Sequence, residues 1–65
     1  MKISVNGEVL ELNASITIND LIHKLEIIDK VAVELNQEII PRSQFTETYI
    51  QSDDQIEIVR AIGGG

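Results

Sequence analysis

Apolar and polar residues alternate from Met1 to Leu12, and Asn6-Gly7 interrupts the alternation. A two-residue Asn-Gly loop is the favoured type I′ hairpin connection, because both of its positions need positive φ. Such a loop fixes the pairing as Val5 with Glu8, Ser4 with Val9, Ile3 with Leu10 and Lys2 with Glu11. That register puts Ile3, Val5, Leu10 and Leu12 on one face, the core side, and sets a Lys2–Glu11 pair on the other. The period then lengthens. Ile18, Leu21, Ile22 and Leu25 recur at the spacing of one buried helical face, and Asp20 to Lys24 is an i,i+4 pair on the wet side. With Thr17 as N-cap, Asp20 falls at the third helical position, where it reaches back to the cap, while Ile16 and Leu21 form a hydrophobic staple. These signals predict one short helix over roughly 18–26.

Alternation returns at Val31-Ala32-Val33-Glu34-Leu35, with Val31, Val33 and Leu35 facing inward. Asn36-Gln37 then turns the chain toward Glu38-Ile39-Ile40, a short continuation of the strand pattern. Pro41 has no N–H for a ladder but suits the start of a helical turn, so Pro41 to Phe45 forms a single turn that drops Phe45 onto the core. Ser52-Asp53-Asp54 is a turn cluster, and Gln55 to Arg60 alternates again with Ile56 and Ile58 inward. Strand, strand, helix, strand and a last strand make an α+β sandwich of two layers. The expected architecture is a β-grasp, or ubiquitin-like, fold with a mixed sheet of four to five strands packed on one helix. Residues 1–60 would form the single domain, followed by a flexible Gly tail over 61–65.

Composition narrows the chemistry. A chain of 65 residues has room for one small core, since a domain of this size buries only about 60% of the surface its unfolded form exposes. No Cys and a single His exclude disulfides, thiolate metal sites and a cysteine nucleophile, so no metal site is expected. The formal charge of −6 argues against nucleic acid as a partner. The apolar runs are too short for a membrane span or a signal peptide, which makes the cytoplasm the default location.

The most specific feature is the close of the sequence, where Gly63, Gly64 and Gly65 are three of only four Gly residues. Gly after a strand is often no more than a loose end. A Gly run closing on a free carboxylate, however, lacks every Cβ, so it can enter a narrow slot in a partner and present that carboxylate at its far end. At ~3.3 Å per residue, the stretch after Arg60 would carry it roughly 16 Å from the sheet. A carboxylate of reference pKa near ~3.5 is ionised at neutral pH and able to attack the α-phosphate of ATP. The resulting acyl adenylate could accept sulfur as a thiocarboxylate. Without Cys the chain holds no persulfide of its own, so sulfur cargo would ride on Gly65.

Three blocks sharpen that reading: Val33-Glu34-Leu35-Asn36-Gln37-Glu38-Ile39-Ile40-Pro41-Arg42, then Asp53-Asp54-Gln55-Ile56-Glu57-Ile58-Val59, then Ile62-Gly63-Gly64-Gly65. Together with the opening Asn-Gly hairpin, they make the sequence resemble the ThiS family, the sulfur carrier proteins of thiamine biosynthesis, over essentially its whole length. The resemblance implies that a ThiF-like adenylyltransferase, using ATP and magnesium, adenylates the Gly65 carboxylate. A sulfur donor such as a cysteine desulfurase would convert it to a thiocarboxylate, and a ThiG-like thiazole synthase would receive the sulfur. The chain would then be a protein substrate and carrier, binding no cofactor, and not a catalyst. Ile62, Gly63 and Gly64 would enter the partner's channel. Three terminal Gly residues depart from the commonest family pattern of two. The alternatives are a carrier for another pathway, as in the small subunit of molybdopterin synthase, or a noncovalent β-grasp binding module.

Other residues carry less. His23 reads as a surface residue, and Asp53-Asp54 as servants of their turn. Val9, Ala32 and Val59 fall on the sheet face away from the helix and would form an apolar docking strip near the base of the tail, as in related carriers. Arg60 would either meet an acidic group beside a partner's channel or stay solvated. Glu34, Glu38, Glu47, Asp53, Asp54 and Glu57 crowd the second half against Arg42 and Arg60, which would steer the chain toward basic partners or merely keep it soluble.

Overall fold

The computed structural model describes residues 1–60. Five strands, one α-helix and one 3₁₀ turn follow in the order β1 (Lys2–Val5), β2 (Glu8–Glu11), α1 (Ile18–Lys24), β3 (Val31–Leu35), β4 (Glu38–Ile40), η1 (Arg42–Gln44) and β5 (Gln55–Arg60). They make one mixed sheet ordered β2-β1-β5-β3-β4, in which only the β1–β5 pair is parallel. The last strand therefore lies at the centre of the sheet. This is the expected β-grasp arrangement, with the helix on one face.

Local chemistry accounts for the hairpins. Asn6 and Gly7 take φ of 51° and 84°, the left-handed pair a type I′ turn needs, and the register is Val5↔Glu8, Ser4↔Val9, Ile3↔Leu10 and Lys2↔Glu11 as predicted. Asn36 and Gln37 repeat the device with φ of 52° and 72° and set Leu35 opposite Glu38. Lys2 and Glu11 face each other without coming within ion-pair distance; the one ion pair among the described residues lies elsewhere.

The capping box of α1 is formed. The Asp20 N–H donates to Thr17 Oγ1 (3.0 Å), and the Thr17 N–H donates to Asp20 Oδ2 (3.2 Å). Turned back to its cap, Asp20 makes no ion pair with Lys24, contrary to the i,i+4 expectation. The helix also ends earlier than 26. Glu26 enters the left-handed region at φ 58°, the Ile27 N–H donates to the Ile22 carbonyl (3.1 Å) and the Glu26 N–H to that of His23 (3.0 Å), the two bonds of a Schellman close. The chain thereby folds Ile27 against the core and leaves Leu25, expected inside, 36% exposed.

The core comprises Ile3, Leu12, Ile18, Leu21, Ile22, Val31, Val33, Phe45, Ile50, Ile56 and Ile58. Val5, Leu10 and Leu35, expected on the same face, are half-buried against it. Phe45 arrives through η1 as Pro41 predicts. Ile50, in an irregular segment with no period to announce it, is fully buried, its N–H donating to the Ile16 carbonyl (2.8 Å) and its carbonyl accepting from Ser15 Oγ (2.8 Å). No helix among the described residues is long and apolar enough to cross a membrane.

Candidate functional site

The candidate site has two parts, the terminal residues and the platform that presents them. Ile62, Gly63, Gly64 and Gly65, with the tail assigned to 61–65, lie outside the described residues. The platform is the end of β5. Pairing with β3 continues to the last described residue, through Ile58↔Val33, Val59↔Ala32 and Arg60↔Val31. On the other flank β1 pairs only as far as Val5↔Ile56, so the end of β5 runs on past it.

Asn6 fills that gap with its side chain. Its Nδ2 donates to the Ile58 carbonyl (3.2 Å), and its Oδ1 accepts from the Ile58 N–H (2.8 Å). Its own N–H donates to the Ile56 carbonyl (2.9 Å), so one residue extends the parallel ladder by both backbone and amide. The start of β5 is tied in the same way. Asn36 Oδ1 accepts from the Gln55 N–H (2.9 Å), and Asn36 Nδ2 donates to Asp54 Oδ1 (3.0 Å). Asp54 Oδ2 accepts in turn from the Gln51 N–H (2.7 Å). Asp54 therefore holds its turn, and Asp53 sits in that turn at φ 70°. Sequence reading found Asn6 and Asn36 as turn formers and missed both as straps, since the bonded partners are 52 and 19 residues away.

The three apolar residues read as a docking surface, Val9, Ala32 and Val59, do not form one strip. Ala32 and Val59 are direct cross-strand partners, both exposed on the face away from α1, and Val59 is 59% exposed. Val9, 74% exposed, pairs with Ser4 on the far side of β1, in the row that continues to Gln55. Two strand steps and the polar Ser4, Gln55 and Glu57 separate it from the other two. Ile39 takes a place nearer to Val59, because it faces Glu34, which faces Glu57. Ile39 broke the alternation around a short edge strand, which hid it from a period-based reading. Arg60 Nε lies 3.3 Å from Asp29 Oδ2, with both side chains more than half exposed. His23 is exposed on the last turn of α1. Among the described residues no three His, Cys, Asp or Glu side chains gather as a metal site.

Comparison with known proteins agrees with this geometry. The ThiS family model matches residues 3–65. The thiazole synthase of Paramagnetospirillum magneticum is 42% identical over the whole of this chain, which spans only 20% of that protein's length. The sulfur carrier protein ThiS of Escherichia coli is 32% identical, with all of both chains covered. The crystal structure of a thiamine biosynthesis protein (ThiS) from Geobacter metallireducens superposes with a TM-score of 0.87 at 30% identity, again covering both chains completely. Matched from its first strand through its closing glycines, this chain belongs to the ThiS family.

Proposed function

We propose that this chain is a sulfur carrier of thiamine biosynthesis, loaded at the carboxylate of Gly65. The observation that carries the reading is the Ile62-Gly63-Gly64-Gly65 segment, one residue beyond a central strand that is paired to its last described residue. A glycine segment anchored at a rigid point keeps its far end within reach of that point, and the missing Cβ atoms let it thread a channel a few ångströms wide. Full-length similarity to the E. coli sulfur carrier supports the cargo, and the thiazole synthases that contain a like segment support the receiving enzyme.

The chemistry is that of an activated acyl group. The carboxylate oxygen attacks the α-phosphate of ATP in a ThiF-like adenylyltransferase, forming the acyl adenylate and releasing pyrophosphate. The terminal sulfur of a persulfide on a donor such as a cysteine desulfurase attacks the carbonyl and expels AMP, and a thiol then cleaves the resulting acyl disulfide, forming a disulfide with the donor sulfur and leaving the thiocarboxylate. Its sulfur is then passed to a ThiG-like thiazole synthase. ATP and magnesium belong to the activating enzyme, and the chain contributes the carboxylate and its presentation.

Intact mass spectrometry tests this. After incubation with ATP, magnesium, a sulfur donor and the activating enzyme, the chain should gain the mass difference of one sulfur replacing one oxygen, located at Gly65. A chain synthesised with a C-terminal amide should gain nothing. An unmodified free-acid chain, under conditions that load an authentic carrier, would favour a noncovalent binding module. Loading without transfer to purified thiazole synthase would favour another sulfur pathway.

A further inference from the structure

Three of the cations of this acidic chain, Lys30, Arg42 and Arg60, lie where β5 ends. Lys30 and Arg42, two of its five Lys and Arg residues, and His23, its single imidazole, line one cleft of about 260 Å³ between the end of α1, the start of β3 and η1. Its floor is apolar, made by Ile22, Val31 and Phe45 of the core. Val31 is the cross-strand partner of Arg60, so the cleft opens beside the last described residue. Asp29 also lines it, but its carboxylate is engaged by Arg60, and neither Lys30 nor Arg42 has an ion-pair partner among the described residues. Ile28 stands on the wall 95% exposed. Glu11, Glu38, Asp53 and Asp54 lie toward the other end of the sheet, as the register and the Asp53 N–H to Lys2 carbonyl bond (2.7 Å) require. Lys30, Arg42 and Arg60 thus lie at the end where β5 finishes, and Asp29, paired with Arg60, is the carboxylate lining the cleft.

An apolar floor, a bare isoleucine and unpaired cations at the edge are the anatomy of a protein interface, with an apolar centre and a charged rim. We propose that this cleft is a second contact with the enzyme that adenylates the tail, and that it receives an acidic segment of that enzyme bearing an apolar side chain. Carboxylates of the segment meet Lys30 and Arg42, and its apolar residue covers the floor beside Ile28. This rests on the reading of Gly65 as the loaded group, and it reverses the charge expected of the partner from composition alone.

The test is the dissociation constant of the complex between the full chain and the activating enzyme, without ATP, at low and high salt. Lys30→Glu and Arg42→Glu are compared with Lys2→Glu, which makes the same charge change at the opposite end of the sheet. Reversal in the cleft should weaken binding by about five-fold or more at low salt, with the gap closing as salt screens it, while Lys2→Glu changes it by less than about two-fold. Lys30→Gln and Arg42→Gln should fall between, and unchanged circular dichroism establishes that the variants fold. Equal weakening by all three reversals would overturn the proposal in favour of net charge, and so would no weakening by any. Saturable amide shifts of the cleft with inorganic phosphate, alongside unchanged enzyme affinity in Lys30→Glu, would overturn it in favour of a small-anion site. Loss of ATP–pyrophosphate exchange on the wild-type chain, with the binding pattern intact, would defeat the carrier reading alone.

Discussion

Single residues in this chain do more than their type announces. Asn6 reads from sequence as half of a type I′ turn, a place where Gly is as suitable as Asn. In the fold its amide also makes two hydrogen bonds to Ile58, at 3.2 and 2.8 Å, replacing the backbone partner that β1 has run out of. Asn6→Gly separates the two roles, because Gly keeps the positive φ and removes only the amide. Net hydrogen bonds of this kind are worth about 0.5–1.5 kcal/mol each, so the variant should lose about 1–2 kcal/mol in urea denaturation. A neutral result would reduce Asn6 to a turn former. Amide exchange at Ile58 should accelerate in the same variant, which locates the loss at the platform and not in the hairpin. Asn36 follows the same logic at the other end of β5, where its side chain joins Gln55 to Asp54.

The short helix shows how an element too small to stand alone is held. Seven residues lie far below the length at which an isolated helix is stable in water, so α1 depends on its ends and its buried face. The face supplies Ile18, Leu21 and Ile22, and the start is the capping box between Thr17 and Asp20. Thr17 is itself 7% exposed and bridges to Tyr49. Thr17→Ala should therefore cost about 1–2 kcal/mol, toward the upper end for a cap, with an unchanged denaturant slope. Thr17→Ser, which keeps the accepting oxygen, should recover most of it. The start was legible because a capping box is a local signal, with both partners within three residues. The end was not, because periodicity extrapolates through Leu25 with nothing to stop it. Glu26 gives no sign of the left-handed conformation it adopts, which Gly would have announced.

At the scale of the whole molecule, folding and delivery are separate. Among the described residues every core residue lies between Ile3 and Ile58, and removal of Gly64 and Gly65 should leave the melting temperature within about 4 °C of the intact chain and abolish thiocarboxylate formation. A large fall in stability, or loading of the shortened chain, would contradict the division between platform and tail. Tertiary structure also redistributes charge. Composition gives −6 and points to basic partners, whereas folding brings Lys30, Arg42 and Arg60 to the end where β3 begins and β5 finishes. The sequence by itself determined most of the elements, the register of the first hairpin, the helix start and the candidate loading group, because alternation, turn residues and caps act between near neighbours. Only the tertiary structure decided that β5 is central, that Val9 stands apart from Ala32 and Val59, that Arg60 meets Asp29, and that a cationic cleft flanks the tail. These depend on which distant segments pair, and long-range pairing is settled by burial of one shared core, a property of the whole chain that no local window contains.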